Sequence, residues 1–136
     1  MKYTFVFLVL ILCFYSMGFA QNPAKVSPDI YKVLTDNDDV TVMEITFKPG
    51  QSDNMHSHLV HTVYVIQGGK IKLTMPDGTS KEMEVPSGAT MHLGTATHQA
   101  TNTGNTELKL LAVEHKKLKE AAKAPKSPKE ATIKEK

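Results

Sequence analysis

The stretch GQSDNMHSHLVHTVYVIQG, residues 50–68, carries three of the chain's six histidines, namely His56, His58 and His61. Residues two apart on a β-strand point to the same face, so His56 and His58 can direct both imidazole rings at one point. Neutral imidazole is the commonest protein ligand for divalent metals in the middle of the first transition row. This stretch therefore predicts a strand and a metal site together.

A fourth candidate ligand, His98, lies about forty residues further along, in the stretch GATMHLGTATHQATN. A metal ion needs ligands from more than one direction, so a second segment must approach the first. The remaining histidines, His92 and His115, have simpler interpretations. We expect His92 to be an ordinary strand residue and His115 to be solvated.

The central part of the chain has the pattern of short β-strands joined by Gly and Pro turns. Val40–Phe47 alternates apolar and polar residues, and His61–Gln67 is rich in β-branched and aromatic residues. Pro76-Asp77-Gly78 is a strong hairpin signal. Further strands are predicted at residues 70–75, 81–85, 89–93, 98–103 and 108–114. This spacing predicts an all-β fold, a small antiparallel barrel or sandwich.

The first twenty residues have the features of a secretory signal. Lys2 gives a positive start, residues 3–14 are apolar, and Gly18-Phe19-Ala20 offers small residues for cleavage. We expect residues 1–20 to be removed and the protein to be secreted or periplasmic. The alternative, a retained anchor, is less favoured because spanning a bilayer takes about 20 apolar residues. The mature chain then has no integral membrane segment.

Cys13 is the only cysteine and lies within the predicted signal. The mature protein would therefore contain no thiol and form no disulfide. Any metal that it holds must be bound by nitrogen and oxygen atoms.

Charge divides the rest of the chain into a domain and a tail. Residues 116–136 hold eight lysines and three glutamates, a balance of 8 − 3 = +5, and we expect a disordered tail. Residues 21–115 hold seven lysines and eleven acids, 7 − 11 = −4, and the chain has no arginine. A nucleic-acid partner is not supported, because its binding needs a basic face. A domain this small would gain stability as a homodimer.

Two spacings in this domain resemble the two motifs of the cupin superfamily. The residues that carry the resemblance are Gly50, His56, His58, His61 and Gly68 in the first motif, and Gly88, His98 and Asn102 in the second. The resemblance covers roughly residues 38–114 and implies a cupin barrel, the double-stranded β-helix of jelly-roll type. It also implies that His56, His58 and His98 bind a metal.

The sequence departs from the cupin motifs at two places. The family normally has a glutamate ligand where this chain has His61, and the loop before that position is shorter than usual. The usual Pro-x-Gly of the second motif is replaced by Gly94-Thr95-Ala96. A site of four imidazoles would leave a higher positive charge on the metal and favour an anionic chelating ligand. Whether His61 is a ligand stays open, because the short loop can turn it away.

Two classes of function fit these residues. In one, a divalent transition metal (Fe, Mn, Ni, Zn or Cu) promotes oxygenation or isomerisation of a small chelating substrate, as a dioxygenase or isomerase does. In the other, the barrel is a non-catalytic module that binds a sugar or an organic anion. Asp53 is the only carboxylate in residues 50–68, so no dedicated general base is expected. Tyr64, Met75, Met83 and Met91 are expected in the core, which would make any barrel pocket largely apolar.

Overall fold

A computed structural model describes residues 21–118 of the protein. These residues form one short helix and nine β-strands, which confirms the predicted all-β class. In chain order they are α1 (Pro23–Val26), β1 (Tyr31–Asp36), β2 (Val40–Phe47), β3 (His56–His58), β4 (His61–Gln67), β5 (Gly69–Thr74), β6 (Ser80–Val85), β7 (Thr90–Leu93), β8 (Ala96–Asn102) and β9 (Leu108–His115).

The strands form two antiparallel sheets. One has the order β1-β2-β9-β4-β7 and the other has the order β3-β8-β5-β6. Strands far apart in sequence are neighbours in both sheets, as in β2 with β9 and β3 with β8. The predicted small antiparallel barrel is confirmed.

The core lies between the sheets, and the alternation of β2 and β9 explains why. These strands pair without a register shift from Val40↔His115 to Phe47↔Leu108, and every second residue is buried. The buried side chains join Ile71 and Ala100 of the other sheet in one cluster. Full burial of a large apolar side chain stabilises the fold by about 1.5–3 kcal/mol. Because turning either strand over would expose all of its apolar side chains, the alternation fixes which face points inward.

The same alternation corrects one expectation. Tyr64 was expected in the core, but it is 46% exposed. Its neighbours Val63 and Val65 are buried, so Tyr64 must point to the opposite face of β4. Met83 and Met91 are partly buried against the core, as expected, whereas Met75 is half-buried outside the core cluster.

The hairpin between β5 and β6 forms at the predicted turn. Gly78 has a φ of +84°, which favours glycine, and its amide donates to the Met75 carbonyl over 2.9 Å. Asp77 Oδ1 accepts hydrogen bonds from the backbone and hydroxyl of Thr79. The sequence did not indicate α1 or β1, and the predicted ends of the later strands differ by one or two residues from the observed ones.

Asn102 closes the barrel at the end of β8. Its side chain is completely buried and donates to the carbonyl oxygens of Phe47 and Thr106, over 3.1 and 2.8 Å. Its amide oxygen accepts a hydrogen bond from the Gly104 backbone. The asparagine of the second motif therefore connects β8 to the end of β2 and to the turn before β9.

The predicted signal, residues 1–20, lies outside the described residues, as does most of the predicted tail. The first tail residues are described: Lys116 pairs with Asp36 over 2.6 Å, and Lys117 pairs with Asp39. Both acids flank the turn between β1 and β2. None of the described helices is long and apolar enough to cross a membrane.

Candidate metal centre

Strands β3 and β8 bring three of the predicted ligands together. His56 and His58 occupy alternate positions of β3, and His98 of β8 lies directly opposite His56 in the register. The ring centroid of His98 lies 5.0 Å from that of His56 and 5.2 Å from that of His58. One ring nitrogen from each of the three histidines lies within 4.8 Å of the others, so the group could hold a metal ion. We call these three residues the inner cluster.

His61 lies beside the inner cluster. Its ring stacks on His58, with centroids 4.7 Å apart and an interplanar angle of 29°. Its Nδ1 atom donates to the Leu59 carbonyl over 2.7 Å. Burial lowers the pKa of His61, although Leu59 and Glu114 oppose this shift. In the described part of the chain, His61 is outside the group of converging nitrogens, and its role as a ligand stays a prediction.

The hydrogen bonds of His56 fix its tautomer. Its Nδ1 atom lies 2.7 Å from the Asn54 carbonyl oxygen, which can only accept, so Nδ1 carries the proton. The neutral ring therefore presents a lone pair at Nε2. Tyr31 Oη lies 3.2 Å from this Nε2, but the hydroxyl hydrogen is directed to Asp53 Oδ2, 2.7 Å away.

His58 is fixed in the same way by a carboxylate. Its Nδ1 atom lies 2.7 Å from Oε1 of Glu114, and both side chains are almost completely buried. With Glu114 ionised, Nδ1 carries the proton and Nε2 presents a lone pair. The Nε2 atoms of His56 and His58 are 2.8 Å apart. Two lone pairs therefore face each other at hydrogen-bond distance.

This arrangement fits a metal ion. Metal–imidazole bonds are about 2.0–2.1 Å long, so two nitrogens bound at a right angle lie about 2.8–3.0 Å apart. The 2.8 Å separation of the two Nε2 atoms is close to this value. The donor set is three imidazoles, which suits zinc, copper, iron and nickel. A cation between the two lone pairs would remove their repulsion.

Burial keeps His58 and His98 neutral. Burial first, and then the neighbouring His56 and His61, together lower the pKa of His58 from 6.5 to about 3. The pKa of His98 is lowered to about 3 for the same reasons. Because imidazole binds a metal only when Nε2 is unprotonated, the folded protein holds these two rings ready to bind at neutral pH.

The fold and the site can now be compared with known proteins. A cupin domain from Bordetella pertussis is similar with a TM-score of 0.58 and 27% identity, over 63% of this chain and 91% of that chain. An RmlC-like cupin with a double-stranded β-helix fold from Methanocaldococcus jannaschii has a TM-score of 0.50 and 16% identity, over 63% and 78% of the two chains. This chain belongs to the cupin superfamily by its fold. No protein-family model matches the sequence, and no curated protein is significantly similar to it.

Glu114 is a site residue of this cupin that the sequence analysis missed. It lies on β9 directly opposite His61, and its side chain is buried. Burial raises its pKa, while the nearby histidines oppose the shift. Spacing within the two motifs pointed only to Asp53, because Glu114 is brought to the site from a distant strand. A signal was available: Glu114 continues the inward-facing series Leu108, Leu110 and Ala112.

Asp53 is a second buried carboxylate near the cluster. Its Oδ1 atom accepts the Ala100 amide over 2.7 Å, and its Oδ2 atom accepts the Tyr31 hydroxyl. Burial raises the pKa of Asp53, although these hydrogen bonds oppose the shift. Burial and the neighbouring Asp53 carboxylate raise the pKa of Tyr31 well above 10. Asp53 therefore links the loop before β3 to β8 and holds Tyr31 against His56.

A cavity of about 170 Å³ lies inside the cupin barrel next to these histidines. His58, His61 and His98 line it together with Tyr31. All the other described residues that line it are apolar. The expected apolar pocket with a polar end is therefore present.

His92 and His115 lie on the outer face of the five-stranded sheet. Thr62 Oγ1 lies 3.0 Å from His92 Nδ1 and 3.2 Å from His115 Nε2. We call His92 and His115 the outer pair. His92 is exposed, and His115 is half-buried rather than fully solvated.

Proposed function

We propose that this cupin binds one divalent transition metal through His56, His58 and His98, and that it promotes oxygenation or isomerisation of a small chelating molecule. The observation that carries the proposal is the 2.8 Å distance between the Nε2 atoms of His56 and His58, each on a ring anchored through Nδ1. Fe, Ni, Zn and Cu fit an imidazole donor set, and Mn is kept as the fifth candidate.

The chain's own residues hold and orient the site. Glu114 accepts a hydrogen bond from the Nδ1–H group of His58 and so keeps the ring basic and correctly oriented, as carboxylates do behind many metal-binding histidines. The Asn54 carbonyl does the same for His56. A bound metal would supply Lewis acidity or redox chemistry at its open positions.

The buried carboxylates already have structural tasks. Glu114 is bonded to His58, and Asp53 is bonded to Tyr31 and the Ala100 amide. Neither is free to act as a general base without breaking a bond that orders the site. This favours chemistry at the metal over proton abstraction by a dedicated side chain.

The proposal includes export. The features of residues 1–20 support a secreted or periplasmic protein, in which a centre made of nitrogen ligands needs no thiol. A homodimer is proposed on the small size of the domain.

Elemental analysis tests the metal proposal. Residues 21–136, purified without a polyhistidine tag, should contain about one equivalent of a transition metal or take it up after incubation with each candidate. Oxygen uptake and product analysis with enediol and diketone substrates then test turnover, with His98→Ala as the inactive control. Absence of metal uptake from all five candidates would contradict the proposal.

The second candidate function is a non-catalytic binding module. The apolar cavity favours it, because ligand burial there needs no metal. This function predicts a ligand-induced rise in melting temperature that is unchanged by metal removal. If the ligand no longer raises the melting temperature after the metal is removed, the metal-dependent function is favoured.

A further inference from the structure

We infer that the ligand of this cupin has an uncharged, apolar body about the size of a benzene ring, which fills the barrel cavity, and a chelating head at the histidine end. The placement of the head rests on the proposed function. The apolar body rests on the cavity alone.

The volume of the cavity sets the size of the body. It measures about 170 Å³. A cavity of about 150 Å³ lined by Leu, Ile and Phe stays dry and holds benzene. The barrel cavity therefore has room for one six-membered ring and a small substituent, and two fused rings would not fit.

The lining sets the polarity of the body. Ile45, Phe47 and Leu73 are typical of the wall, and the polar lining residues are three histidines and Tyr31. The Tyr31 hydroxyl already donates to Asp53. A sugar would lose its hydrogen bonds to water here without replacement. A charged group deep in the cavity would have no counter-ion among the described lining residues.

Two alanines create the free space beside the histidines. Ala100 and Ala112 are buried and line the cavity, 3% and 0% exposed. Ala100 follows His98 by two positions on β8, and Ala112 precedes Glu114 by two on β9, so each alanine shares a face with a site residue. A larger side chain at either position would occupy the space of the ring.

Leu93 marks where the cavity reaches solvent. It lines the cavity, is 40% exposed, and pairs with His61 in the register of β4 and β7. An apolar ligand entering there would meet an apolar rim first and the histidines next.

A matched pair of chelators tests the inference on the metal-loaded protein. Acetohydroxamate and benzohydroxamate carry the same head, and only the second carries a ring. We expect benzohydroxamate to bind about 30- to 100-fold tighter, because the ring buries apolar surface. Equal affinities would overturn the inference.

Toluene tests the apolar body without any metal. At tenfold its Kd it should raise the melting temperature of the metal-free protein by about 5–10 °C, while glucose and citrate should not. Toluene binding without any metal uptake would overturn the proposed function but would still support a ligand with an apolar body. Metal uptake without toluene binding would overturn the inference and leave the metal proposal standing.

Two variants locate the ligand. Ala112→Leu should abolish toluene binding and the ring preference, while its neighbour Val113→Leu, on the opposite face of β9, should change neither. If Ala112→Leu does not fold, Met83→Ala is the second test of where the ligand binds. Met83 lines the cavity and is only half-buried, so its replacement by alanine enlarges the cavity. Met83→Ala should improve the binding of naphthohydroxamate relative to benzohydroxamate at least tenfold. An unchanged ratio would overturn the inference.

Discussion

The inner cluster and the outer pair place the same residue type in two different environments. In the inner cluster, the Nδ1 protons of His56 and His58 are held by Asn54 and Glu114, so both Nε2 lone pairs point at one place. In the outer pair, two rings share one threonine hydroxyl at the surface. Convergence, burial and anchoring by a second residue make a metal site, whereas histidine content alone does not.

The largest expected effect comes from removing an inner ligand. His58→Ala should weaken metal binding by about 200- to 6,000-fold, if the roughly 10–16 kcal/mol of a tight metal site is shared equally among its three ligands. His92→Ala in the outer pair is the matched control and should leave the affinity unchanged. Calorimetric titration of the metal-free proteins measures both. Equal losses in the two variants would remove the distinction between the groups.

Glu114→Gln should have the next largest effect. It keeps the shape of the side chain but removes the charge that holds the His58 Nδ1 proton, and such losses typically cost about 10- to 100-fold in metal affinity. Glu44→Gln is the control, because Glu44 lies on the outer face of β2, opposite Leu111 of β9. An unchanged affinity in Glu114→Gln would show that the carboxylate does not support the site.

Acid should destabilise the metal-free protein through the inner cluster. His58 and His98 have a pKa of about 3 when folded and about 6.5 when unfolded, so the unfolded chain binds more protons between these values. Their contribution to stability is complete above pH 6.5 and falls as the pH drops below it, by at most about 1.4 kcal/mol per pH unit for each histidine.

Urea unfolding between pH 7.5 and 5.5 measures this slope. His98→Gln removes one of the two imidazoles, so its free energy of unfolding should fall less steeply as the pH drops. His92→Gln should keep the wild-type slope. A wild-type slope in His98→Gln would show that His98 is not held neutral by the fold.

The smallest effect is expected at His61. His61→Gln should lower metal affinity by less than about tenfold, since the ring stacks on His58 and lies outside the converging group. Calorimetric titration of His61→Gln and His58→Ala with the same metal compares the two losses of affinity. A loss as large as that of His58→Ala would make His61 a fourth ligand.

The sequence predicted the parts of the site that depend on local spacing. The His-x-His pair of β3 follows from strand alternation, and the burial of β2 and β9 follows from their apolar period. Glu114 was missed because it is 56 residues from His58 and reaches it only through the register of β9. Tyr31 was missed because β1 has no apolar alternation, with only its first residue buried.

Counting the imidazoles on a bound ion tests the inner cluster most directly. Pulsed electron paramagnetic resonance of the Cu²⁺-loaded protein reports coordinated imidazole through the remote ring nitrogen. Three imidazoles in the wild type and in His92→Ala, and two in His98→Ala, are the predicted result. Fewer than three in the wild type, or an unchanged count in His98→Ala, would contradict the convergence of His56, His58 and His98 on one metal ion.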